Sequence, residues 1–284
     1  MRAFCLIALL CAAAAAAQEP AAPARRIVSL SPHLTENLFA IGAGDRVVGT
    51  VEFSNYPEAA KRIPRIGRFD KVDLEAVAAL RPDLVLAWES GNIASHVERL
   101  KAIGLRVVVS EARRIEDVPG EIERLGELTG RGDEARAVAA RFRQRLAALR
   151  ARHAGRPVVG VFYQVWDRPL MTVGGGQIIS DAIRLCGGEN VFGALRQMAA
   201  AVTLEAVLAA DPEVIVASGR GATPPPWLDE WRHWPALTAV RRGNLFFVPP
   251  DHLQRHTPRI LDGVEELCGQ IEIARKRRTQ GEAQ

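Results

Sequence analysis

The sequence predicts an α/β protein of two Rossmann-like lobes joined by one long α-helix. Residues 74–87, LEAVAALRPDLVLA, return as LEAVLAADPEVIVA at 204–217, an offset of 130 (204 − 74). Leu74, Glu75, Ala76, Val77, Ala79, Pro82 and Ala87 recur as Leu204, Glu205, Ala206, Val207, Ala209, Pro212 and Ala217. One repeat at so long a period is no solenoid; it points to a chain of two similar halves. In both halves short apolar runs alternate with helical patterns, which implies parallel sheets covered on both faces. Between the halves lies the strongest helix-forming segment of the chain.

The chain has 284 residues, enough for two domains, and its 48% hydrophobic and 25% charged residues are ordinary globular composition. MRAFCLIALLCAAAAAAQEP reads as a secretory signal peptide over residues 1–17. Arg2 gives the positive start, Phe4 to Leu10 the apolar segment and Ala15-Ala16-Ala17 the small-residue cleavage site. The apolar run is too short for a membrane span. A lipid-anchored reading through Cys11 is weaker, because bulky Leu10 stands where a small residue is wanted. The mature chain is therefore expected to be exported and soluble.

The N-terminal α/β lobe spans 26–129. Ile27–Leu30 is a strand, the turn at Ser31-Pro32 opens a helix, and Gly42 and Gly44 stop it before a second strand from Val47 to Val51. DLEAVAALRPDLVLAW is a helix closed by Pro82, then a buried strand at Leu84–Trp88; ASHVERLKAIGLRVVVS repeats helix, Gly and strand. The connecting helix falls within 130–155. Its Ala and Arg are strong helix formers, and Val138, Phe142, Leu146 and Leu149 make one apolar stripe.

The C-terminal α/β lobe spans 156–275. PVVGVFY at 157–163 is its first strand, MTVGGGQIISDAIRLCGGENVF is strand, turn and helix, and the repeat helix and strand follow. A loop with Pro224-Pro225-Pro226, a strand in NLFFVPP and a helix from about Pro258 to Arg275 complete it. Residues 276–284 read as a flexible basic tail. The formal charge of +4 is concentrated in Arg275-Lys276-Arg277-Arg278, a solvated run rather than a nucleic-acid surface. Of the 4 cysteines, Cys5 and Cys11 leave with the leader. Cys186 and Cys268 remain, and an oxidising compartment favours a disulfide over two buried thiols.

Recognisable catalytic and cofactor patterns are missing: there is no Gly-x-Ser-x-Gly elbow and no His-Glu-x-x-His pair. Gly174-Gly175-Gly176 could cradle an anion, but reads better as a tight turn. The 6 histidines are scattered. His252 and His256, four apart, read as polar loop residues rather than metal ligands. No enzyme, metal or cofactor is expected. Aromatic residues instead gather where chain leaves an element: Phe53, Tyr56, Phe69, Trp88, Trp166, Trp227, Trp231 and Trp234. Carboxyl ends of strands line the ligand crevice of such sheets, and rings there suit a large, flat, partly apolar ligand.

RIVSLSPHLTENLFAIGAGDRVVGTVEFSNYP, DLEAVAALRPDLVLAWESGN, CGGENVF and PDHLQRHTPRILDGVEELC resemble the periplasmic cobalamin-binding proteins of ABC importers, the BtuF type, over essentially the whole mature chain. These belong to the helical-backbone class of substrate-binding proteins, which also serves haem and ferric siderophores. The resemblance implies a periplasmic monomer with the ligand in a cleft between the lobes and a Cys186–Cys268 disulfide. It implies cobalamin or a related corrinoid as transported ligand rather than cofactor, contacted by Phe53, Phe69, Trp88, Trp231, Asp251, His252, Leu253, Gln254 and Arg255. The chain departs from the family pattern in Phe53 for a tyrosine, Phe69 for a tryptophan, and His252-Leu253-Gln254 for a more aromatic, acidic stretch. It also implies docking of Glu75 and Glu205, the same place in the two repeats, onto arginines of a membrane permease. At a helix start a glutamate is favoured by the dipole in any case. A haem or ferric-siderophore carrier is the alternative, with Tyr56 or His252 available to iron.

Overall fold

The computed structural model describes residues 22–219 and 221–282; the leader read at 1–17 lies outside them. The apolar runs that build the two main sheets become short parallel strands, because runs buried on both faces need helices to return the chain; Met171–Val173 instead pairs antiparallel with Ala199–Ala201. The first lobe holds a four-stranded sheet in the order Val47–Thr50, Ile27–Ser29, Leu84–Trp88, Val107–Ser110. The second holds Gly188–Asn190, Val159–Gln164, Val214–Ala217, Leu245–Phe247. The orders correspond: the first strand of each lobe is second in its sheet and the repeat strand is third.

The repeat is structural down to its caps. Asp73 accepts from the amides of Glu75 and Ala76 at 3.1 and 3.0 Å to start helix Leu74–Ala79. Its counterpart Thr203 accepts from Ala206 N at 3.2 Å to start helix Leu204–Ala210. Both units leave their helix through a left-handed residue that is not glycine, Arg81 at φ 46° and Asp211 at φ 38°. The second is held by its own carboxylate, which accepts from Thr238 N and Oγ1, both at 2.7 Å.

The connecting helix, Gly132–His153, buries Val138, Phe142, Leu146 and Leu149. Their core is continuous from Ile27, Leu34 and Leu38 of the first lobe to Val161, Tyr163 and Ile178 of the second. Separate apolar layers cover the outer face of each sheet. A shared close-packed core resists large lobe rotation. Cys186, at the end of helix Ile178–Leu185, is disulfide-bonded to Cys268 of the last helix.

One reading changes. The last helix runs Ile260–Glu282, through most of the segment expected as a flexible tail. Its arginines act as braces for the second lobe: Arg277 donates to Gly243 O at 2.6 Å, and Arg278 pairs with Glu213 at 2.5 and 2.8 Å. A guanidinium fork finds loop carbonyls and carboxylates that a count of charges along the chain does not reveal. The glycine run is a tight turn, as the sequence favoured. A Cβ on Gly174 or Gly175 would lie 2.1 Å from Gln197 O or 2.2 Å from Gly193 O, and their amides donate to Met198 O and Leu195 O.

Candidate ligand-binding site

The carboxyl ends of both sheets converge on one seam. The loop after Val47–Thr50 meets the segment after Leu245–Phe247: Asn55 Nδ2 donates to Asp251 Oδ2 at 3.1 Å, and Arg255 Nη2 donates to Phe53 O at 2.8 Å. The Arg259 guanidinium carbon lies 3.6 Å from the centre of the Tyr56 ring. Beneath these contacts sits Glu36, 2% exposed on helix Pro32–Ala40. It accepts from Arg259 Nε and Nη2 at 2.7 Å each, Thr257 Oγ1 at 2.7 Å and Arg255 Nη1 at 3.4 Å. One buried carboxylate of the first lobe thus ties down the segment 255–259 of the second.

Phe53, Phe69 and Trp88 lie on the first lobe's side. Phe53 has φ 66° and is 55% exposed. A left-handed phenylalanine is uncommon and carries strain; its carbonyl is fixed by Arg255 and its ring stands open. Trp88 is half-buried at the end of its strand, with its ring centre 5.8 Å from that of Phe69. The loop after it can pass only because residue 91 is glycine, where a Cβ would lie 1.8 Å from the indole. Buried Asn92 pins the corner: Oδ1 accepts from Trp88 N at 2.6 Å, and Nδ2 donates to Leu30 O at 3.0 Å and Phe69 O at 2.7 Å.

The second lobe's residues are deployed differently. Asp251 is partly exposed and pairs with Arg255 at 2.7 Å. His252 is half-exposed, 3.8 Å from Glu266. Gln254 donates to Ser218 Oγ at 2.9 Å. Arg255 is buried, with its donors committed to Glu36, Asp251 and Phe53 O, so it braces the seam instead of standing open to a ligand. Leu253, expected as a ligand contact, is 0% exposed and belongs to the central core. Trp231, also expected as a ligand contact, stands in the wall of the second lobe. It is 4% exposed against Phe162 and Trp234, and its Nε1 donates to Gln164 Oε1 at 2.7 Å.

Burial also governs two histidines at the seam. His33 is held well below the usual imidazole range, first by desolvation, then by His256 and Arg255. His256 is lowered to about 4 by desolvation, against the pull of Asp117. Away from the seam, Glu75 and Glu205 are both exposed at the starts of their equivalent helices. The Glu205 carboxyl is held below the ordinary range by its own amide and the Thr203 hydroxyl.

Periplasmic binding protein is the family whose profile matches, over residues 27–252. The chain belongs to this family. A vitamin B12-binding protein of Vibrio parahaemolyticus is 33% identical over 256 residues, which are 90% of this chain and 92% of that one. The crystal structure of the periplasmic vitamin B12-binding protein BtuF of Vibrio cholerae matches with TM-score 0.83 and 34% identity, covering 89% of this chain and 99% of that one. A periplasmic heme-binding protein from Pseudomonas aeruginosa matches with TM-score 0.76 and 25% identity, covering 86% and 91%. As a periplasmic binding protein the chain is a transport component and not an enzyme.

Glu36, Asn92 and Gln164 were missed in the sequence. Glu36 and Gln164 interrupt or end apolar runs and Asn92 closes the polar turn after Trp88, and a polar group buried there needs partners. The signal was present in Glu36 inside a mostly apolar helix and in two arginines four apart at 255 and 259. Their pairing across the lobes, 219 and 223 residues away along the chain, was not.

Proposed function

We propose that the chain captures cobalamin or a related corrinoid at the interlobe seam and delivers it to the membrane permease of an ABC importer. The carrying observation is the likeness to vitamin B12-binding proteins, which extends across both lobes. Phe53, Phe69 and Trp88 supply ring faces, while Asp251, His252 and Gln254 supply polar contacts. Trp231 and Arg255 support them from behind. The leader is removed on export, and the mature chain acts as a monomer. Glu75 and Glu205, one per lobe, offer carboxylates to permease arginines, because charged pairs orient docking without burial.

The test is titration of the mature chain with cobalamin, cobinamide, haemin and a ferric siderophore, read by absorbance and tryptophan fluorescence. One-to-one binding of the corrinoids, with quenching, is the expected result. A haem carrier is the second reading, favoured by exposed Tyr56 under the Arg259 guanidinium. Tight haemin binding with no response to either corrinoid would establish that reading in place of the first.

A further inference from the structure

Two imidazoles lie against the Trp88 indole, one from each lobe. His33 belongs to the first turn of helix Pro32–Ala40, and His256 to the segment that Glu36 ties down. Their ring centres are 5.2 and 6.0 Å from the indole, and both meet it edge-on, at 87° and 90°. The imidazoles are 5.0 Å apart, and both are buried. His33 Nδ1 is 2.6 Å from Ser31 Oγ. Neither ring nitrogen of His256 has a hydrogen-bond partner among the described residues, and nor has Trp88 Nε1. The His256 main chain is fixed instead, its carbonyl accepting from Asn37 Nδ2 at 2.9 Å. Ring faces therefore set the place of the indole.

Resting on the ligand reading above, we propose that His33 and His256 are positioning residues that set the Trp88 indole against the ligand across the lobe seam. Nothing in the family match assigns them a role. The packing works with neutral rings. A proton on either would be a buried charge beside a second imidazole and Arg255. The carboxylates nearby are engaged: Glu36 by Arg255, Thr257 and Arg259, Asp251 by Arg255, and Asp117 by the amides of Arg113 and Arg114. An imidazolium would gain some attraction to the indole, but burial is the first cause lowering both histidines.

The sign follows. An unfolded or exposed histidine titrates near about 6.5, and the folded values lie below it. The packing of the two neutral imidazoles on the indole is therefore at full strength above that pH and weakens, by local opening that exposes them, as pH falls toward the folded value, about 4 for His256.

The experiment compares wild type with the double variant His33→Phe/His256→Phe, which keeps the rings and removes their protons. From about pH 7.5 to about pH 4.5, wild-type affinity for cobalamin should fall about tenfold or more, while in the variant the ratio shrinks to about threefold or less, whatever its absolute affinity. His256→Ala, which opens space behind the indole, weakens binding at both pH values, and His256→Phe restores part of it. If the double variant does not fold, His256→Phe alone carries the pH comparison. A second readout uses ligand-free protein: the Trp88 indole N–H resonance, assigned by its loss in Trp88→Phe, should move with pH in wild type and stand still in the Phe variant. Equal pH profiles in the two folded proteins overturn the proposal, and so does an indole resonance that ignores pH. A wild type that binds no cobalamin at any pH while this resonance still titrates sinks the cobalamin reading and leaves the positioning role standing.

Discussion

Trp88 ends the repeat strand of the first lobe with its ring half open; at the offset of 130 its counterpart in the second lobe is Ser218, a buried hydroxyl accepting from Gln254. The second lobe's large ring, Trp231, is absorbed into its own apolar layer. One lobe thus brings open rings to the seam, and the other brings charged side chains that close on the first, Arg255 and Arg259 on Glu36. The duplicated backbone constrains strand order, caps and helix exits, but the residue just past a strand has no packing obligation to its counterpart. Two copies of one plan are thereby free to bring different side chains to one seam.

The largest expected effect attacks the join between them. Glu36→Ala leaves Arg255 and Arg259 in the seam without their carboxylate, and breaking such a buried pair costs about 3–5 kcal/mol. Urea denaturation should show that loss; parental stability would mean the arginines find other partners and the lobes are held elsewhere. Next comes the contrast between the tryptophans. Trp231→Ala should cost stability, about 3–5 kcal/mol for a large core ring. Trp88→Ala should cost chiefly cobalamin affinity, about 1–3 kcal/mol for an aromatic anchor. Calorimetry and melting curves on both would break the comparison if the two effects were exchanged.

The smallest effect lies where the two lobes are most alike. Glu75→Ala and Glu205→Ala should each change permease docking by about 1 kcal/mol or less, as exposed ion pairs do. Together they should weaken docking and uptake while cobalamin affinity stays at the parental value. A double variant that docks normally would reduce the repeated glutamate to helix-start chemistry.

The two-lobe plan was legible because it rests on local, periodic signals: the repeat, the apolar stripe of the connecting helix, and the alternation of strand and helix. The placing of Phe53 and Trp88 at or just past the ends of their strands was legible for a similar reason, since an apolar run shows where its strand stops whatever the rest of the chain does. The burial of Leu253 and Trp231 was not legible, because a loop position says nothing about burial. Short helix Pro250–Leu253 turns Leu253 into the core, and the Pro226–His233 turn folds Trp231 onto Phe162.

The sequence by itself determined where strands and helices form and that the halves match, because backbone hydrogen bonding and apolar periodicity act over a few residues. Only the tertiary structure decided which charges are free. The basic run Arg275–Arg278, read as a solvated tail, spends Arg275 on Pro157 O and Cys186 O, Arg277 on Gly243 O and Arg278 on Glu213. Glu36, the one acid of its helix, becomes the anchor of the opposite lobe. A long charged side chain takes its meaning from partners distant in sequence, 34 residues for Arg277 and Gly243 and 223 for Arg259 and Glu36, and only the folded chain brings them within hydrogen-bond reach.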